Sequence, residues 1–431
     1  MPLDYPIHDR TLPNGLRVVV SSDHTVPVAT VNLWVGVGSR HEAPGRTGFA
    51  HLFEHLMFQG SRSVASGEHF AALMAHGGRA NATTWFDRTN YFETVPIGAL
   101  ELALWLEADR HGHLLDAVTQ ANLDNQRDVV KEEKRQRYDN QPYGNALTDV
   151  YAATFPDDHP YHHPTIGSMD DLDAARLEDV HAFFRRHYAP NNTVLTLVGD
   201  VTAEDGFALA ERYFGHLEHE VETASGHGEQ LAPVAGPVRV DRFEDVPNDR
   251  LHLAFRLPAE GGRDFLAASL ALDCVAGLAS SPMGTRLVRR EQVATSIGAH
   301  AMGFVGGSSL GLVVVDIAPG QDADSVEAEV AAELGRFVEE GPRAELLEAV
   351  QAQEERSWLS ALASGEDRAD LISQYTLLHD DPGYINTALD RVLAVSRDEV
   401  RDAARTWLRP EQRVCVAYLA SDDSGEGEEA A

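Results

Sequence analysis

The stretch that decides the fold and the chemistry of this chain is His51-Leu52-Phe53-Glu54-His55. It lies in a predicted helix, about residues 47–59, that Gly60 ends. Residues four apart lie on the same face of a helix, so the imidazoles of His51 and His55 can reach one metal ion. Glu54 lies one turn from His51 and can reach a water molecule on that ion. Zinc suits two neutral imidazoles and a carboxylate, with a fourth position open to water.

This motif on its own leaves an alternative open. The chain has 20 histidines, so a chance match to this spacing is expected on the order of one time in ten. His51 and His55 would then be two surface histidines on an acidic helix. The context favours metal binding, because Leu52 and Leu56 give the helix an apolar face, and a strand with glycine turns precedes it.

A metal site would need a third ligand, and a candidate lies on a second predicted helix, residues 125–135, which ends before Pro142. Glu133 shares a face of this helix with Gln126, Val129 and Val130, so its side chain is predicted to point toward the core. The alternative is that Glu133 is a solvated surface residue, since glutamate is usually exposed.

The charge and composition of the chain exclude several classes of partner. The 431 residues carry a net charge of −33, which would repel a phosphate backbone or an anionic lipid surface. We therefore expect neither a nucleic acid nor a membrane as a partner. Cys274 and Cys415 are too few for a disulfide framework. The sequence shows no secretory leader and no run of about 18 apolar residues, so we expect a cytoplasmic protein.

The two halves of the chain repeat each other. Val180, Pro190 and Val194 have counterparts 220 residues later at Val400, Pro410 and Val414. At both places an amphipathic helix is followed by a proline and an apolar strand. The repeat predicts two homologous α+β domains, at 1–215 and 237–420. Residues 216–236 are interpreted as a linker and the acidic residues 421–431 as a disordered tail.

Several further stretches accompany the His-x-x-Glu-His motif. They are Leu12-Pro13-Asn14-Gly15-Leu16, Gly38-Ser39-Arg40-His41-Glu42, Asn81-Ala82-Thr83-Thr84-Trp85-Phe86-Asp87-Arg88-Thr89-Asn90-Tyr91, Asp128-Val129-Val130-Lys131-Glu132-Glu133, Gln141-Pro142-Tyr143-Gly144 and His159-Pro160-Tyr161. Together they resemble the pitrilysin/insulinase-type zinc metallopeptidases (inverzincins), in the bacterial branch that is similar to mitochondrial processing peptidase. The resemblance covers most of the chain. It implies two homologous α+β domains, each a mainly antiparallel sheet packed with helices.

The resemblance also implies the chemistry of the site. His51, His55 and Glu133 would hold one zinc ion per chain, and the match to the family's distal ligand falls on Glu133. Glu54 would be the general base that takes a proton from a water on zinc and passes it to the leaving amine. The implied activity is that of a zinc-dependent endopeptidase acting on peptides or unfolded segments.

The stretch that begins at Asn81 and Ala82 resembles the family's substrate-binding strand. An extended peptide would pair with this sheet edge through main-chain hydrogen bonds. From the residues alone, Asn81-Ala82-Thr83 could instead be a turn that enters a strand.

The sequence departs from the family pattern at two places. Residues 287–295 resemble a segment that carries an arginine and a tyrosine, but Val288 and Thr295 occupy those positions and cannot replace a guanidinium or a phenol. We therefore expect a heterodimer in which a homologous, zinc-less subunit supplies the Arg/Tyr pair. Gln126 stands where many relatives carry a second glutamate. Glutamine keeps the hydrogen bonding but loses the charge, so its influence on the zinc and its ligands would differ. The alternative function is a non-catalytic assembly or peptide-binding subunit of a larger complex.

Overall fold

The computed structural model of the chain describes residues 3–218, 220–222 and 230–421. The predicted tail from residue 422 onward lies outside the described residues, as do residues 219 and 223–229 of the predicted linker. The described residues form two compact units, each built around a mixed sheet packed with helices. The predicted α+β class with two domains is confirmed.

The first sheet has six strands among the described residues, in the order β1-β2-β6-β3-β5-β4. The strands are β1 (His8–Thr11), β2 (Arg17–Ser22), β3 (Val28–Val35), β4 (Arg79–Thr84), β5 (Thr89–Pro96) and β6 (Thr193–Gly199). The β2–β6 pair is parallel, and the other neighbouring pairs are antiparallel. The strand that carries Asn81 and Ala82, β4, therefore lies at an edge of this sheet.

The second sheet repeats that order as β7-β11-β8-β10-β9. Its strands are β7 (Val238–Glu244), β8 (Arg250–Pro258), β9 (Ala294–Met302), β10 (Ser308–Ile317) and β11 (Val414–Ala420). The β7–β11 pair is again the parallel one. Strand by strand, this is the order β2-β6-β3-β5-β4 of the first sheet, so the duplication is visible in the topology.

The helices complete the two units. They are α1 (Phe49–Leu56), α2 (Glu68–Ala75), α3 (Leu100–His113), α4 (Gln120–Lys134), α5 (Ala146–Thr154), α6 (Met169–Ala174), α7 (Leu177–His187), α8 (Ala203–Phe214), α9 (Arg263–Leu272), α10 (Ala323–Glu340), α11 (Ala344–Ala363), α12 (Gly365–His379), α13 (Ala388–Leu393) and α14 (Arg397–Trp407). The helices α7 and α14, which precede the last strand of each sheet, begin 220 residues apart, as the sequence repeat predicts.

The packing units do not coincide with the halves of the sequence. The first unit comprises Met1–Glu133, His163–His227 and Gln353–Leu393, and the second comprises Lys134–His162, Gly228–Ala352 and Ala394–Ala431. As a result, α12 packs on strands β3 and β6 of the first sheet, and α5 packs on β8 and β11 of the second. The boundaries 1–215 and 237–420 remain a prediction about the repeated halves. The first half gives α5 to the second unit, and the second half gives part of α11, α12 and α13 to the first unit.

Both faces of the first sheet are buried, and strand β3 shows why. Val31 and Leu33 belong to a core that also contains apolar residues of α3 and α8. On the opposite face, Trp34 packs in a cluster with Ile372 of α12, and its indole Nε1 donates a hydrogen bond to Asp370 Oδ1 at 2.8 Å. A strand that is covered on both faces is almost continuously apolar. This rigid sheet supports the edge strand β4.

None of the helices formed by the described residues is both long enough and apolar enough to span a lipid bilayer.

Candidate metal centre

The helix that carries the His-x-x-Glu-His motif is shorter than predicted, Phe49–Leu56 instead of 47–59. It begins after Gly48, whose φ of +89° lies in the left-handed region that glycine adopts without strain. A Cβ at this position would lie 2.7 Å from the Ile166 carbonyl oxygen, so glycine is also required by space. Leu52, Phe53 and Leu56 are buried. Burial of these three side chains orients α1 so that His51 and His55 lie on its less buried face.

A buried carboxylate caps the start of α1. Glu42 accepts hydrogen bonds from the backbone N–H groups of Gly48 at 2.8 Å and Ala50 at 2.7 Å. These donors belong to the first turn of the helix, whose N–H groups have no partner within the helix. Burial raises the pKa of Glu42 to about 8, against the opposing effect of these hydrogen bonds. The motif Gly38-Ser39-Arg40-His41-Glu42 thus contributes to holding the metal helix in place.

The three predicted ligands lie together. The distance between His55 Nε2 and Glu133 Oε2 is 3.3 Å, and that between His51 Nε2 and Glu133 Oε2 is 3.6 Å. The two imidazole rings lie 4.8 Å apart, centroid to centroid, at an angle of 80°. All three side chains are only partly exposed. The fold therefore brings a residue 78 positions after His55 next to both rings.

These separations fit a zinc ion. With bonds of about 2.0–2.1 Å in a tetrahedral arrangement, two ligand atoms on zinc lie about 3.3 Å apart. The two distances to Glu133 Oε2 match this value closely. Two imidazoles and one carboxylate are also a common donor set of catalytic zinc, and they leave the fourth position for water.

The helix α4 positions Glu133 next to His51 and His55. Arg127 fixes α4 by donating from Nε to the Leu172 carbonyl at 2.7 Å and from Nη2 to the Ala175 carbonyl at 2.8 Å. Gln126, two turns before Glu133 on the same face, is buried. One detail of the sequence prediction was wrong: Val129 is 41% exposed, so the residues before Glu133 that this face of α4 buries are Gln126 and Val130 and not Val129.

Glu54 lies beside the ligands and is held by a residue that the sequence analysis missed. Its Oε2 accepts a hydrogen bond from Thr84 Oγ1 at 2.6 Å. Burial raises the pKa of the Glu54 carboxyl, and this effect outweighs the opposing effects of Thr84 and His55. Thr84 is part of a stretch that resembles the family, but the spacing of residues 54 and 84 gives no signal of a contact.

Asn81 and Ala82 lie inside strand β4, with Ala82 buried and Asn81 exposed. The Ala82 N–H donates a hydrogen bond to Asn81 Oδ1 at 2.9 Å. Because β4 begins at Arg79, these residues do not form a turn before a strand. They lie on the edge strand where an added peptide strand would pair.

Val288 and Thr295 are described within the second unit. Val288 is half-buried in the helical turn Gly284–Arg290. Thr295 is exposed on β9, an edge strand of the second sheet, and its hydroxyl donates to the Asp316 carbonyl at 3.3 Å. Neither side chain offers a cation or a phenol.

A second group of histidine and glutamate side chains was not predicted from the sequence. His69 Nε2 lies 3.5 Å from Glu93 Oε1 and 3.7 Å from Glu107 Oε1, and all three residues are buried. Arg110 completes this buried ion-pair cluster. Its Nη2 contacts both carboxylates, and its Nε donates to Glu107 Oε2 at 2.9 Å.

The guanidinium of Arg110 already supplies the positive charge that the carboxylates of the buried ion-pair cluster need. It also stacks on the rings of Phe58, at 4.5 Å, and Tyr91, at 4.6 Å. A zinc ion added here would leave an uncompensated positive charge in the core, which is costly. The charge of Arg110 therefore argues against a second metal centre in this cluster.

Comparison with known proteins places the chain in a family. Residues 17–168 match the model described as insulinase (peptidase family M16), and residues 174–354 match the model described as peptidase M16 inactive domain. The chain belongs to peptidase family M16, the insulinase family. The resemblance inferred from the sequence is confirmed.

Individual relatives agree with this assignment. The zinc protease PqqE of Helicobacter pylori is 28% identical over 422 residues, which cover 94% of this chain and 93% of the relative. An uncharacterized zinc protease of Mycobacterium leprae is 31% identical over 325 residues, covering 74% of this chain and 70% of the relative. The crystal structure of a protease from Helicobacter pylori superposes with a TM-score of 0.88 at 27% identity, covering 96% of this chain and 99% of that one.

Proposed function

We propose that this chain is the zinc-bearing subunit of an endopeptidase that hydrolyses peptides or unfolded segments. The observation that carries the proposal is the convergence of His51, His55 and Glu133 at separations that fit one zinc ion per chain. The names of its relatives as zinc proteases support the same conclusion.

Each residue of the site has a distinct task in this proposal. His51, His55 and Glu133 hold the metal, which when bound supplies a Lewis acid that acidifies water and polarises a carbonyl group. The Glu54 carboxylate accepts a proton from the attacking water. It then donates that proton to the amine that leaves when the peptide bond breaks.

The substrate is proposed to bind as an added strand along β4, next to Asn81 and Ala82. Support comes from the position of β4 at the sheet edge and from the hydrogen bond between its last residue, Thr84, and Glu54. Strand addition requires an extended main chain, so short or unfolded peptides would be preferred over folded proteins.

A homologous partner is proposed to supply the arginine and tyrosine that this chain lacks at Val288 and Thr295. The match of residues 174–354 to an inactive-domain model supports a second half without ligands of its own. The same observation favours the second candidate function, a non-catalytic assembly or peptide-binding subunit. Robust peptidase activity of the purified chain alone would contradict the need for a partner.

The proposal is tested by measuring zinc content and cleavage of an unstructured peptide for the wild-type chain, with and without a co-purified homologue, and for Glu54→Gln. We expect about one zinc per chain in both proteins and a loss of cleavage of about 10²–10⁴-fold in the variant, because glutamine cannot accept the proton. A wild-type protein that binds no zinc, or a fully active Glu54→Gln variant, would contradict the proposal. The cytoplasmic location expected from the sequence stays a prediction.

A further inference from the structure

The last residue of the edge strand holds the proposed base. Thr84 Oγ1 donates to Glu54 Oε2 of α1 at 2.6 Å, and Thr84 itself is partly buried. The donor is short and rigid, because a threonine on a strand has a restricted χ1 angle. The hydrogen bond engages one carboxylate oxygen of Glu54 and therefore limits rotation of the whole carboxylate.

The alternation of β4 separates two sets of contacts. Ala82 and Thr84 face one side of the strand, and Asn81 and Thr83 face the other. Thr83 has its own partners: its hydroxyl donates to Asn90 Oδ1, and Arg88 Nη1 donates to the Thr83 carbonyl at 2.9 Å. The Arg88 contact anchors the main chain at the residue before Thr84. Thr84 is therefore fixed by the backbone of β4 and not by its side chain alone.

We propose that Thr84 is a positioning residue that fixes the Glu54 carboxylate relative to the strand on which the substrate is aligned. This inference rests on the proposed function and deepens it. The strand that sets the register of the bound peptide also sets the orientation of the base. Only the peptide bond that lies opposite this end of β4 would then meet a correctly placed proton acceptor, which restricts cleavage to one register.

The test compares Thr84→Val, which keeps the shape but removes the hydroxyl, with Thr84→Ser, which keeps the hydroxyl. Thr94→Val is the matched control, because Thr94 lies on the neighbouring strand β5 and its hydroxyl bonds to Thr30 and Glu366 instead. For cleavage of an unstructured peptide by the enzyme in its active form, we expect kcat of Thr84→Val to fall about tenfold to a hundredfold. Its KM should stay within about twofold, because an interaction that orients the base acts after binding.

Thr84→Ser and Thr94→Val should each retain kcat within about threefold of the wild type. An unchanged kcat in Thr84→Val, or an equal loss in Thr84→Ser, would overturn the proposal. If the wild-type enzyme shows no peptidase activity at all, the proposed function fails, and a structural arm still decides the role of Thr84.

The structural part of the test compares crystal structures of the zinc-free wild type and of zinc-free Thr84→Val. We expect a single Glu54 conformer bonded to Thr84 in the wild type and a displaced or multiple conformer in the variant. An identical, well-ordered Glu54 conformer in both proteins would overturn the inference independently of activity.

Discussion

Two groups of histidine and glutamate side chains have their donor atoms within 4.8 Å of one another. The metal-ligand set has two histidines and one glutamate (His51, His55 and Glu133), and the buried ion-pair cluster has one histidine and two glutamates (His69, Glu93 and Glu107) together with Arg110. They differ in one cation and in access to solvent. The metal-ligand set is partly exposed, whereas the buried cluster holds an arginine among its carboxylates in the core. Similar side chains thus form the proposed metal centre in one place and a structural ion network in the other.

Burial and the Arg110 guanidinium together shift the pKa values of the groups in the buried ion-pair cluster. Burial raises the pKa of Glu93 well above its usual range, and the neighbouring Glu107 adds to the effect. Against the effect of burial, Arg110 lowers the pKa of Glu107 to about 2. Burial lowers the pKa of His69 to about 3. A neutral Glu93, an ionised Glu107, a neutral His69 and the Arg110 cation give a cluster without net charge, which a core tolerates.

The largest effect is expected for Arg110→Met, which leaves Glu107 buried without its cation. The free energy of unfolding of the zinc-free protein should fall by about 3–5 kcal/mol. Urea denaturation measures this, with Arg62→Met as the control, because Arg62 pairs with Asp116 at the exposed surface and should cost at most about 1 kcal/mol. Equal losses in the two variants would erase the distinction between the two regions.

In contrast to Arg110→Met, Glu133→Gln should weaken zinc binding strongly and leave the stability of the zinc-free protein almost unchanged. Zinc affinity should fall by at least about a hundredfold, since removing a ligand exceeds the effect of removing a residue behind it. The stability of the zinc-free protein should change by no more than about 0.5 kcal/mol, because the side chain is partly exposed. Isothermal titration with zinc and urea denaturation measure the two quantities. Glu132→Gln, the exposed neighbour on α4, should change neither.

A smaller change is expected for Gln126→Ala. If the Gln126 amide orients the ligands as the sequence analysis predicts, zinc affinity should fall by about tenfold. If Gln126→Ala binds zinc as tightly as the wild type, Gln126 contributes only to the packing of α4.

The last prediction concerns the dependence of stability on pH. Because the pKa of Glu93 is higher in the folded chain than in the unfolded chain, the folded state binds more protons, and its stability falls as pH rises above about 4.3. Glutamine cannot lose a proton, so Glu93→Gln should become progressively more stable relative to the wild type between about pH 5 and pH 8. A difference that stays constant over this range would mean that Glu93 is ionised in the core.

The sequence predicted the metal-ligand set because its information is largely local. The spacing of His51 and His55 on one helix is enough to predict that they lie together. Glu133 is distant in the sequence, and only the resemblance of residues 128–133 to the family predicts that it joins them. The error at Val129 arose because a helix face predicted from polarity ignores which side the rest of the protein covers.

The buried ion-pair cluster could not be predicted in this way. Its members come from α2, β5 and α3, and nothing in their spacing indicates that they meet. The sequence also shows no sign that α5 and α12 pack in the unit of the opposite sequence half. Each helix lies within its own half of the chain, and no break in the sequence pattern separates it from that half. Contacts of this kind depend on the whole fold.

The most direct test of the account is anomalous diffraction at the zinc edge from crystals of the chain supplied with zinc. If His51, His55 and Glu133 hold zinc, one strong peak is expected at about 2.0–2.2 Å from His51 Nε2, His55 Nε2 and a Glu133 carboxylate oxygen. No peak at that position, or a peak between His69, Glu93 and Glu107, would contradict it.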